Sequence, residues 1–118
     1  MAALETLPLA PRDLLILAVL AEGPLHGYGI VKSVEARSDS GVLLDPANLY
    51  RVLRRMRTRG WIEEDRPSGP ARAGGSPDPR RRTYSITSRG KEVLAAEVAR
   101  LEHLVRQVRP ALADEGRS

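Results

Sequence analysis

A mainly α fold with a small β hairpin is predicted by three observations on this 118-residue sequence. Apolar residues recur at helical spacing in four separate stretches, around 14–20, 30–34, 49–56 and 94–108. A Gly/Pro-rich run at 67–79 separates two short segments suited to strands. The last apolar stretch repeats with alternating steps of four and three, the spacing of a heptad seam. In this order the pieces describe a winged helix-turn-helix followed by a C-terminal dimerisation helix.

Composition narrows the function classes. The length fits one domain with a modest core. There is no cysteine, which excludes disulfides and thiolate metal sites and favours a reducing compartment. The longest apolar run, Leu14 to Ala21, falls far short of the roughly 20 residues of a membrane span. The N-terminus lacks the basic-then-apolar order of a secretory signal, so a cytoplasmic location is expected. Net charge is +4, and it is unevenly distributed: residues 47–82 hold ten arginines against four acids, whereas acids outnumber bases elsewhere. Such concentration is expected of a nucleic-acid footprint. Aromatics are only 3%, too few for the stacking platforms of single-strand binders, and duplex DNA fits better. The two histidines lie far apart, and no paired-carboxylate or phosphate-loop motif occurs. No catalytic residue, metal ligand or cofactor is therefore assigned.

Taken in order, residues 1–10 have no period and are expected to form a flexible arm. Pro11 can open the first helix, in which Leu14, Leu15, Ile16, Leu17, Val19 and Leu20 leave hardly any polar side. A short helix of that kind is buried against more than one surface, and the surplus, placed at Leu14 and Leu17, points to a second chain. Glu22-Gly23-Pro24 stops it. A second helix is expected from Leu25 to about Ser38, with Ile30, Val31 and Val34 inside. Gly27 and Gly29 in its first turn cost helix propensity, and either a close phosphate backbone or a tightly packed helix would account for them. His26 and Tyr28 suit capping or packing of the helix start, or a phosphate contact. Ser38-Asp39-Ser40-Gly41 is a turn, and Val42-Leu43-Leu44 an extended lead-in or short strand.

The third helix is the most informative stretch. Asp45 at the N-cap and Pro46 at the first helical position mark its start, and Gly60 marks its end. Leu49, Val52, Leu53 and Met56 form a buried stripe. Arg51, Arg54 and Thr58 project from the opposite side, flanked by Tyr50 and Arg55. Five arginines and no acid lie between positions 51 and 59, whereas a solvated helix usually mixes both signs. A basic helix after a short glycine-containing connection is the arrangement of a DNA-reading helix-turn-helix.

Trp61 to Glu64 then suits a strand leaving the core, with Trp61 itself a core residue. Pro67 to Pro79 is a long loop, and Arg80 to Ile86 is the returning strand. Arg80, Arg81 and Arg82 on this wing are placed to grip phosphate or the minor groove. Thr87 is the expected N-cap of the last helix, which should run to about Arg109, before Pro110. Its seam is Leu94, Val98, Leu101, Val105 and Val108, widened by Leu104 and continued by Leu112, with Val93 on a flank. A three-helix domain does not need so long a seam, and dimerisation is its expected use. His103 beside the seam reads as a surface or interface residue. The expected organisation is an arm at 1–10, a winged helix-turn-helix at 11–86, a dimerisation helix at 87–112 and a disordered tail at 113–118.

Leu-His-Gly-Tyr at 25–28, Asn-Leu-Tyr-Arg at 48–51, Arg-Gly-Trp-Ile at 59–62 and Arg-Arg-Thr-Tyr-Ser-Ile-Thr at 81–87 occur in one order. This ordered set resembles the PadR family of transcriptional regulators, in its short form with a single C-terminal helix. The resemblance implies a homodimer in which the last helix packs with the partner's first helix. It implies binding to palindromic promoter sites, mostly as a repressor, with release by a small molecule or a stress signal. It places base reading on Ala47, Asn48, Tyr50 and Arg51, and backbone contacts around His26, Tyr28 and Arg80 to Arg82. Ala47 offers no hydrogen bond there, and the 67–79 loop is longer than a compact wing requires.

The sequence is accordingly read as a sequence-specific DNA-binding regulator, a dimeric repressor of double-stranded operators. Asn48 can read adenine and Arg51 guanine, each pair discriminating by roughly 1–3 kcal/mol. Arg54, Arg55 and Arg80 to Arg82 would supply salt-dependent phosphate affinity. A small aromatic or drug-like effector would sit in an apolar space between the first and last helices of the dimer. The alternative is a winged-helix interaction module whose basic face meets an acidic protein partner.

Overall fold

The computed structural model describes residues 7–65 and 82–115, with side chains as far as 112. Four helices and three strands follow in the order α1 Pro11–Ala21, β1 Leu25–His26, α2 Gly27–Arg37, α3 Pro46–Thr58, β2 Ile62–Asp65, β3 Thr83–Ile86 and α4 Ser88–Glu115. The fold is mainly helical with a small antiparallel sheet in the order β1-β3-β2. Ile62 stands opposite Ile86 and Glu64 opposite Tyr84, while Leu25 meets Tyr84 from the other edge. The expected strand at 42–44 does not form; Leu44 is buried there and Leu43 exposed.

The core follows the apolar patterns. Ile16, Leu17 and Leu20 of α1 pack with Ile30 and Val34 of α2 and with Leu49, Leu53 and Met56 of α3. Trp61, Ile62, Tyr84 and Val93 close the core from the sheet and α4. Leu17 is fully buried in its own chain, so it offers no surface to a second copy, contrary to the sequence expectation. Val93, expected on a flank, is also fully buried.

Both turns around α3 are built by helix-end chemistry. After α2, the Ser40 amide donates to the Glu35 carbonyl at 2.8 Å and the Asp39 amide to Ala36 at 3.2 Å. This closure needs a left-handed residue, here Asp39 at φ 55° rather than the usual glycine. After α3 the same pair of bonds runs from Trp61 to Met56 and from Gly60 to Arg57, with Gly60 at φ 78°. Asp45 does hold the N-cap position of α3, but its side chain makes no capping bond.

Three further boundaries differ from expectation. Leu25 and His26 form an edge strand rather than the first residues of α2, because β3 supplies partners for their backbone. Residues 7–10 are not a loose arm: Leu9 is buried and its amide donates to Glu97 Oε2 at 2.8 Å. Residues 1–6 lie outside the described residues. The last helix passes through Pro110 to Glu115, since the ring removes one hydrogen bond at an exposed end where water can serve the freed carbonyl.

Candidate nucleic-acid interface

The buried stripe of α3 fixes which side chains face outward. Leu49, Val52, Leu53 and Met56 are anchored in the core, and this turns Ala47, Asn48, Arg51 and Arg54 to solvent. Tyr50 is half-buried and lies over the start of α2, where a Cβ on Gly27 would meet its hydroxyl at 2.8 Å. Gly27 therefore exists for close packing of α3 on α2. A Cβ on Gly29 would meet Leu25 at an ordinary contact distance of 3.4 Å.

The arginines divide into two groups. Arg55 donates from Nη2 to Asp13 Oδ2 at 2.5 Å, across to α1, and Asp13 is buried. Arg57 donates to Glu64 Oε1 at 3.1 Å. Arg82 places one guanidinium nitrogen against both oxygens of the same carboxylate, at 3.3 and 3.1 Å. Arg59 lies over the Trp61 ring, 5.3 Å from its centre. The guanidinium groups of Arg51 and Arg54 have no ion-pair or hydrogen-bond partner among the described residues. Among the described residues of α3, these two arginines keep an uncommitted charge, whereas the sequence reading had grouped Arg55 with them.

Two arginines expected to contact phosphate instead pair internally with carboxylates. Arg55 pairs with the buried Asp13 carboxylate, which the neighbouring Arg12 Nε also approaches, at 3.4 Å. Arg82 is drawn inward to Glu64, with its Nε buried and lacking a hydrogen-bond partner among the described residues. Arg80 and Arg81, with the loop at 67–79, lie outside the described residues. His26 is exposed at the N-cap position of α2 and makes no side-chain capping bond, and Tyr28 is exposed with the Lys32 ammonium 5.5 Å from its ring centre. Both remain accessible beside the α3 face, since β1 and the start of α2 pack against β3 and Tyr50.

Sequence reasoning missed the acids that decide this division. Asp13 is a lone acid in the first turn of an otherwise apolar helix, a position that signals a buried partner. Glu64 sits in an Ile-Glu-Glu-Asp strand whose alternation turns its side chain inward, to 7% exposure. Tyr84 opposite it is pushed up to about 12, first by burial and then by the Glu64 charge.

A basic helix packed on the helix before it and followed by the β2–β3 hairpin, to which β1 adds a third strand, defines a winged helix-turn-helix protein. The chain belongs to the PadR-like family of transcriptional regulators, whose family model matches residues 16–96. It is similar to a PadR family transcription regulator of Clostridium difficile, with 25% identity, a TM-score of 0.68, and 87% of this chain and 99% of that chain covered. A PadR family regulator of Eggerthella lenta is 29% identical, with a TM-score of 0.63 over 86% of this chain and 84% of the other. Bacillus subtilis PadR, solved in complex with operator DNA, shares the fold at 20% identity and a TM-score of 0.59, over 73% of this chain and 46% of that one. Among curated sequences, an uncharacterized 37.1 kDa protein in transposon TN4556 of Streptomyces fradiae is 32% identical over 92 residues. The match takes in 78% of this chain but spans only 23% of that protein's length. Among the described residues no helix is long and apolar enough to cross a membrane.

Proposed function

We propose that this chain is a DNA-binding regulator that works as a homodimer on a palindromic operator and represses the promoter beneath it. The observation that carries this reading is the outward face of α3, where Asn48 precedes Arg51 and Arg54 and neither guanidinium has an internal partner among the described residues. Asn48 and Arg51 are assigned base reading, Ala47 allows close approach to the groove floor, and Arg54 is assigned phosphate. Tyr50, His26 and Tyr28 flank this face and contact the backbone. The relative solved with operator DNA supports duplex DNA as the ligand.

The dimer is assigned to α4. Val98, Leu104, Val105, Val108 and Leu112 are exposed large apolar side chains on one helix, with Leu94 and Leu101 half-buried at its inner end. Leu14, half-buried on α1, is proposed to join the same interface. Residues 11–86 are thus proposed as the DNA-binding unit and 87–112 as the dimerisation helix. Release by a small aromatic or drug-like effector, or by a stress signal, completes the proposal. A groove of about 520 Å³ lined by Leu7, Pro8, Ala96, Ala99, Arg100 and His103 gives such a molecule a mainly apolar seat beside α4.

Footprinting on the chain's own upstream region, with and without candidate small molecules, tests the whole reading. On the protected sequence, Arg51→Ala should relax base preference at one position per half-site, by roughly 1–3 kcal/mol. Arg54→Ala should weaken specific and unrelated duplexes alike. Equal loss on every sequence for both variants would overturn the assignment of roles. Preference for an acidic protein over any duplex, at matched salt, would overturn DNA as the ligand.

A further inference from the structure

The wing strand β2 carries three consecutive acids, Glu63, Glu64 and Asp65, beside the basic helix. In a protein that meets phosphate this charge is on the wrong side. Glu63 and Asp65 are exposed, and together with Arg54, Arg57 and Thr58 they line an open groove between α3 and β2. Glu64 points inward and binds both Arg57 from α3 and Arg82, the residue just before β3. Arg57 lies one turn beyond Arg54 on the same groove, so without Glu64 it would extend the cationic track of α3. Arg82 is held even though its buried Nε goes without a hydrogen-bond partner among the described residues. A phosphate that recruited either arginine would remove one of the two partners of a carboxylate whose side chain is only 7% exposed, which carries a cost.

We infer that Glu64 is a specificity-determining residue that withholds Arg57 and Arg82 from the DNA backbone and so limits sequence-independent affinity. Backbone cations raise affinity for every duplex, operator and non-operator alike. A regulator must find its site among a large excess of competing sequence, so its useful quantity is the ratio of specific to non-specific binding. Two neutralised arginines lower the non-specific term while Asn48 and Arg51 still read bases. This inference rests on the DNA reading above.

The test is fluorescence anisotropy of the full chain with a labelled unrelated duplex, titrated with salt from about 50 to 200 mM, the range over which phosphate contacts show. The wild-type chain is measured first, and absence of binding to any duplex would sink the DNA reading itself. Given wild-type binding, Glu64→Gln should bind the unrelated duplex several-fold more tightly. Its log–log salt slope should steepen by roughly 0.9 for each freed arginine that reaches a phosphate. Adding Arg57→Gln or Arg82→Gln to Glu64→Gln should each take away that arginine's share of the gain, and adding both should take away all of it, whereas Arg57→Gln alone should leave the slope where it was. A folded Glu64→Gln protein with an unchanged or shallower slope would overturn the inference while leaving the DNA reading intact. If Glu64→Gln does not fold, Arg57→Gln alone decides. An unchanged slope supports the withheld cation, and a shallower one shows that Arg57 already touches phosphate.

Discussion

Glu97 shows how one side chain can carry a tertiary contact. It is 1% exposed, takes the Leu9 amide at 2.8 Å and accepts from Arg100 Nε at 2.5 Å and Nη2 at 3.0 Å. The Arg100 hydrogen bonds hold its carboxyl below the ordinary glutamate value; burial works against them, and the Leu9 amide adds to the lowering. A depressed pKa means that the ionised form is favoured in the fold. The stabilisation is complete above the unfolded-state pKa and is lost as pH falls through the folded-state value. Melting of wild type and Glu97→Gln across an acid series should therefore show a gap at neutral pH that closes as both are acidified. A gap independent of pH would assign Glu97 a packing role only. Sequence could not reveal this residue, because Glu97 occupies a solvent-facing slot of the heptad pattern and its partner amide lies 88 residues away. The arginines were legible as a basic helix for the opposite reason: their pattern is local. Which of them keep a free charge is a long-range fact, set by Asp13 and Glu64 from other elements.

At the scale of elements, legibility followed the same division. α3 and its Gly60 stop, Trp61 in the core and the Thr87 start of α4 are all written in neighbouring residues. Thr87 Oγ1 accepts the Gly90 amide at 3.0 Å, as an N-cap should, and also donates to the Gly60 carbonyl at 2.6 Å. That second bond ties the start of α4 to the end of α3. β1 was not legible, since two residues carry no alternation and gain strand character only from β3. Gly90 passes for an ordinary glycine in a helix, yet a Cβ there would lie 2.1 Å from the Trp61 carbonyl oxygen and 2.7 Å from Ile86 Cγ1. Backbone cannot move aside as a flexible side chain can. Gly90→Ala should therefore destabilise the domain by about 1–3 kcal/mol or more, despite the better helix propensity of alanine. Chemical denaturation would measure it. A neutral or stabilising result would mean that α4 can slide away from the sheet, loosening the joint on which the placement of both long helices depends.

For the whole molecule, the two proposed surfaces are built on different helices. The proposed DNA face is cationic and lies on α3, while the apolar seam lies on α4 and continues from the half-buried Leu94 and Leu101 to Val108 at 60% and Leu112 at 65% exposure. The increase in exposure along α4 marks where the helix leaves its own domain. A helix of 28 residues is about 42 Å long, far more than its N-terminal turns need to cover the core. Two such helices packed along their seams would fix the distance between two copies of α3, which converts two weak half-site contacts into one strong one. The gain from such linkage is commonly 10²- to 10⁴-fold without any new DNA contact. Val105→Glu with Val108→Glu should therefore yield a folded monomer by light scattering. Its operator affinity should fall by about that factor, while its weak binding to an isolated half-site stays near the wild-type value. Leu17→Ala should behave differently, weakening the fold itself, because Leu17 is buried within one chain. If the double glutamate variant remained dimeric, the contact between copies would lie elsewhere, and the spacing of operator half-sites would have to be set by a surface other than α4.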